Sequence, residues 1–308
     1  MALRLTGHID LPAHTGTGGF DHAAIHARSE QLYVAHTAND AVDLIDCARQ
    51  KYVSSIRNLT AVAGVLISEE ADHLAFTSNR GEDTVGMFAP GTEDSLIKVP
   101  VGVRPNGLAF DARRGVLLAA NVGDPAMPGS FTLSMVDVAL RRMRGPIPVP
   151  GRTRWAIYDS RLDRFFVNIA DPAQIVTVAG DAPDRVARTY TVPARGPHGL
   201  DLDVESGRLF CACDDGQLVA MEAATGRVLG TVALSGAPDV IFLDGGLGRL
   251  YVAIGDPGVV DAIDIRGMRR LETVATESGA HTTALNSRTH QLYVFLPGTH
   301  RAAVFVDG

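Results

Sequence analysis

Short apolar runs alternate with turns rich in Gly, Asp and Asn along the whole chain, and no ten-residue stretch has the spacing of an amphipathic helix. One run recurs as a marker: Gln31-Leu32-Tyr33-Val34, His73-Leu74-Ala75-Phe76, Val116-Leu117-Leu118-Ala119, Arg164-Phe165-Phe166-Val167, Arg208-Leu209-Phe210-Cys211, Arg249-Leu250-Tyr251-Val252 and Gln291-Leu292-Tyr293-Val294. Upstream of each, a shorter strand opens at His22, Gly64, Asn106, Arg154, His198, Asp239 and His281, at intervals of 42, 42, 48, 44, 41 and 42 residues. Five positions after each opener stands a turn residue: Ala27, Glu69, Asp111, Asp159, Asp203, Asp244 and Asn286. Repeats of about 40–50 residues with four strands each are propeller blades. The pattern therefore predicts an all-β fold, a seven-bladed β-propeller with four antiparallel strands per blade, in one domain spanning residues 1–308.

Only 27 residues follow His281, enough for three strands. Residues 3–12 read like the missing fourth strand and are expected to complete the seventh blade, removing an open edge. The units Arg104-Pro105-Asn106-Gly107-Leu108-Ala109-Phe110-Asp111 and Leu117-Leu118-Ala119-Ala120-Asn121 resemble the YVTN-repeat, lactonase-like seven-bladed propellers. The resemblance covers essentially the whole chain. It implies the fold, and for function it points toward hydrolysis of a lactone or a related ester.

Composition narrows the partners. A net charge of −7, with no Lys/Arg run longer than two, argues against nucleic acid. No apolar stretch approaches the roughly 18 residues of a membrane span, and the first residues carry no secretion signal. The expectation is a soluble protein, cytoplasmic unless a signal peptide has been removed to give a periplasmic one, acting as a monomer or weak homo-oligomer on a small molecule. Of the three cysteines, Cys211 and Cys213 run along one strand in poor geometry for a disulfide, and Cys47 has no partner nearby in sequence.

The candidate chemistry follows from the ring. Inner strands begin at one face of the disc, beside the central channel, so the seven openers should surround its mouth. His198, Asp239, His281 and His22 then occupy four consecutive blades. Three imidazoles with an open position form a catalytic-type metal site, so His22, His198 and His281 are expected to hold one divalent transition metal: zinc, with manganese or iron as alternatives. Asp239 is a fourth ligand, a general base or a group orienting a ligand histidine. Arg154 and Asn106 are donors for a carbonyl or phosphoryl oxygen. A polar pore filled by water would tolerate the same residues.

The loops between second and third strands should reach the same face. They bring Ser78-Asn79, Asn121, Asp171, Asp214-Asp215 and Asp256 to the rim, and His14, His36 and His300 as well. Of these His36, beside His22, and Asn121 are candidate substrate contacts, with Trp155 either a packing aromatic or a substrate platform. Asp111, Asp159 and Asp203 read as turn residues capping their own backbone, and His73 and His290 as surface residues. The leading expectation is a metal-dependent hydrolase of a lactone or phosphotriester. The alternatives are a non-catalytic ligand- or protein-binding propeller and a His-ligated metal oxygenase or lyase.

Overall fold

In a computed structural model, residues 2–70 and 74–308 are described; the expectation for His73 lies outside them. Among the described residues, 28 strands form seven four-stranded antiparallel sheets. Numbered in chain order, the innermost strands are β2 (Ala23–His26), β6 (Val62–Ile67), β10 (Pro105–Asp111), β14 (Thr153–Asp159), β18 (Pro197–Asp203), β22 (Ile241–Asp244) and β26 (Thr282–Asn286). Ring closure is by β1 (Arg4–Asp10), which pairs antiparallel with β28 (Arg301–Val306) from Arg4 opposite Val306 to Asp10 opposite Arg301.

Burial explains the sequence pattern. Second strands such as β3 (Gln31–His36) and β23 (Arg249–Ile254) are buried at every position after the first, because both of their faces pack against neighbouring blades. Outer strands such as β5 (Lys51–Ile56) and β25 (Arg269–Ala275) are largely exposed and accordingly polar. The core is a set of clusters between blades. One joins Leu32 and Val34 of the first blade to Tyr293 and Phe295 of the seventh, with Ile9 of β1 completing it.

Buried tyrosines in the marker strands keep a polar tip that must be satisfied. Tyr251 donates to Asp307 Oδ2 at 2.7 Å, and Arg249 pairs with the same carboxylate, tying the C-terminus to the sixth blade. The far-end aspartates act as the sequence suggested. Asp159 Oδ1 accepts from the Arg161 and Leu162 amides at 2.8 and 3.2 Å, and Asp203 Oδ1 accepts from Glu205 and Ser206 at 3.2 and 3.4 Å. His290 is half-buried, its Nδ1 2.6 Å from Asp244 Oδ2.

Candidate functional site at the channel mouth

The inner strands start with irregular register: pairing shifts between Pro105 and Leu108, Thr153 and Ala156, and Pro197 and Leu200. These bulges free Asn106, Arg154 and His198 from regular alternation and turn them toward the axis. His22, Asp239 and His281 stand just before their strands. The second blade's opener contributes no side chain: a Cβ on Gly64 would collide with the Asn106 carbonyl and Ser78 Oγ, and the Gly64 amide instead donates to Ser78 Oγ at 2.7 Å.

His198 is the hub. Its Nδ1 lies 2.7 Å from Asp214 Oδ1, and its Nε2 lies 3.1 Å from Asp239 Oδ1 and 3.0 Å from Arg154 Nη1. Burial and Arg154 oppose a charged ring, but the Asp239 and Asp214 carboxylates outweigh them and lift the His198 pKa to about 9. Asp239 responds in kind. Burial resists its ionisation, yet His198, His281 and His22 together hold its carboxyl well below the usual range. The site at neutral pH is thus an imidazolium clamped between two carboxylates.

On the other arc of the mouth the groups are cationic. Arg80 reaches Asp21 Oδ2 at 3.1 Å and Asn106 Oδ1 at 2.6 Å. Arg152 has its pKa lowered by partial burial and by the fields of Arg154, Arg80 and Arg104, against the opposing field of Asp214. Among the described residues neither Arg104 nor Arg152 lies within salt-bridge distance of a carboxylate. Positive charge therefore gathers here, although the chain as a whole carries −7.

Below the mouth lies a cavity of about 450 Å³ whose walls include Leu66, Phe110, Ile157 and Phe242. Trp155 separates the two levels. It lies against His22 across the pore, ring centroids 4.1 Å apart, and also packs beside the core of its own blade. Burial lowers the His22 pKa despite the nearby Asp21 and Asp239.

Of the three histidines expected to hold a metal, His198 is the one whose ring nitrogens are both taken in this arrangement. His198 has both ring nitrogens committed to charged partners, because Asp214 and Asp239 take them first. His22 Nε2 faces Asp21 Oδ1 at 3.3 Å, and His281 Nδ1 donates to the Gly279 carbonyl at 2.7 Å. Among the described residues no group of three or more His, Cys, Asp or Glu side chains is arranged to hold an ion. Two substrate candidates also lie elsewhere. Asn121 is fully buried and donates to Thr132 and Ser134 within its blade, at 2.9 and 3.0 Å. His36 is fully buried with Nδ1 2.6 Å from Asp43 Oδ2, because it shares a sheet face with Asp43 on the next strand. Asn106 serves Arg80 through its carbonyl oxygen. Sequence reasoning missed Arg80, Arg104 and Arg152, and had placed Asp214 on the rim without its bond to His198.

Comparison with solved structures supports the architecture. A chain of the "Crystal Structure of Mitotic Checkpoint Complex" superposes with a TM-score of 0.82 at 13% identity, over 98% of this chain and 91% of that one. A chain of the Kuenenia stuttgartiensis hydrazine synthase gives 0.81 at 12% identity, over 96% and 98%. At such identities the likeness is of the seven-bladed propeller fold alone. No family model and no curated protein matches the chain. No helix among the described residues is long and apolar enough to cross a membrane.

Proposed function

We propose that this propeller binds a small molecule carrying a carboxylate or phosphate at its channel mouth, with His198 positioned as a proton donor to it. The observation that carries the reading is the gathering of guanidinium groups at the mouth: Arg154, 3.0 Å from the His198 ring and 3.4 Å from Asp214, stands in the field of Arg80, Arg104 and Arg152. Guanidinium groups in excess of the local carboxylates favour an anion. Arg104 and Arg152, without carboxylate partners, extend the attraction outward, and Trp155 and His22 form an aromatic floor. When a ligand oxygen displaces Asp239 at Nε2, the His198 proton passes to the leaving oxygen and is replaced from solvent, with Asp214 stabilising the recharged ring.

The lactonase-like resemblance of the repeat motifs favours an ester or lactone as the substrate class when the site turns over.

The test is calorimetric titration at low ionic strength with inorganic phosphate, acetate and a short dicarboxylate. One anion per chain should bind. Arg154→Gln should weaken it by about tenfold or more, the usual worth of a hydrogen bond to a charged group. Absence of binding by all three anions would sink the reading. Turnover of a lactone and an ester panel, lost in His198→Gln, tests the catalytic part separately.

A further inference from the structure

Away from the axis a second group of imidazoles meets. His14 comes from the loop leading to β2, His36 ends β3, and His300 lies in the turn between β27 (Gln291–Leu296) and β28. The His14 ring centroid is 4.9 Å from that of His36 and 4.4 Å from that of His300, with ring planes inclined by 67° and 66°. Phe20 covers the group, 5.0 Å from His14 and 4.5 Å from His36.

The nitrogens are what single the cluster out. His36 Nδ1 faces a buried carboxylate, Asp43, which accepts a further bond from Ser55 Oγ at 2.6 Å. Nδ1 therefore carries the proton and Nε2 presents a bare lone pair. That Nε2, His14 Nε2 and His300 Nδ1 are all sealed from solvent without a hydrogen-bond partner. Three unpartnered ring nitrogens on touching rings are not what a packed interior tolerates without a purpose.

We propose that His14, His36 and His300 are the protein ligands of one first-row divalent transition-metal ion, with Asp43 fixing His36 from behind. Imidazole is a suitable donor for such ions, and a carboxylate on the far ring nitrogen is the usual support of a metal-bound histidine. The spacing agrees. With metal–nitrogen bonds of about 2.0 Å, ring centres sit about 3 Å from an ion, so rings at right to tetrahedral angles stand about 4.5–5 Å apart. In the arrangement described the three donors do not yet converge on one point. Convergence requires the His14 and His300 rings, both half-buried, to turn, while His36 is held by Asp43.

The probe is Co²⁺ added to protein stripped by chelator, followed by visible absorption and calorimetry, with Zn²⁺ as competitor. One Co²⁺ per chain should bind, with visible bands of a low-coordinate site, and Zn²⁺ should displace it. His14→Gln and His36→Gln should each weaken binding by on the order of 100-fold, and Asp43→Asn by about 10–100-fold. His8→Gln, on the exposed side of β1, should leave it unchanged. Circular dichroism melts check that each variant is folded; should His36→Gln unfold, His14→Gln, in a loop, carries the test. No Co²⁺ uptake, or uptake indifferent to His14→Gln and Asp43→Asn, overturns the proposal.

Discussion

Replacing Asp239 by Asn removes one carboxylate from His198 and keeps its shape. In the folded protein the His198 pKa is about 9 against an ordinary 6.5, which is worth about 3 kcal/mol of folding stability. The sign follows from linkage. A raised pKa gives stability that is fully present below about 6.5 and is lost as pH rises through about 9. Asp239 is the larger of the two carboxylate contributions that raise it, ahead of Asp214. Asp239→Asn should therefore lower the His198 pKa by at least about one pH unit and roughly halve the stability lost between neutral and alkaline pH. The assay is NMR titration of the His198 ring proton in both proteins, with urea unfolding at neutral and alkaline pH. A wild-type ring titrating near its ordinary value, or one unmoved by Asp239→Asn, would refute the clamp.

Three further outcomes follow from the packing. Trp155→Ala opens the floor of the mouth, so the His22 pKa, lowered chiefly by burial, should move back up toward its ordinary value; ring-proton titration reads this. Gly64→Ala forces a methyl group into the Asn106 carbonyl and Ser78, and should cost about 1–3 kcal/mol in urea melts. Asp307→Ala leaves buried Tyr251 and Arg249 without their shared acceptor, and should cost about 3–5 kcal/mol by the same measurement.

The blades were legible because both faces of the second strands are buried. Residues such as Leu32-Tyr33-Val34 and Leu250-Tyr251-Val252 must be continuously apolar, and such runs repeat visibly. The ring of openers was legible for a topological reason: each inner strand starts at the same face, so His22 and Trp155, 133 residues apart in sequence, touch across the pore. What the ring does chemically was not legible. Whether an imidazole binds an ion or a carboxylate depends on where Asp214 points, and no spacing rule encodes that. Arg104 and Arg152 did leave a trace, each standing two residues before its opener in adjacent blades. His36 and Asn121 were misplaced because the last residue of a second strand faces its own sheet, not the axis, when a polar partner such as Asp43 or Thr132 waits on the third strand.

The central claim is that the channel mouth collects an oxyanion between Arg154 and His198. Anomalous diffraction from a crystal soaked in selenate, a phosphate-shaped anion, locates it directly. The strongest peak should lie within hydrogen-bond distance of the Arg154 guanidinium and the His198 ring. Peaks confined to other faces of the disc, with the mouth empty, would contradict the account.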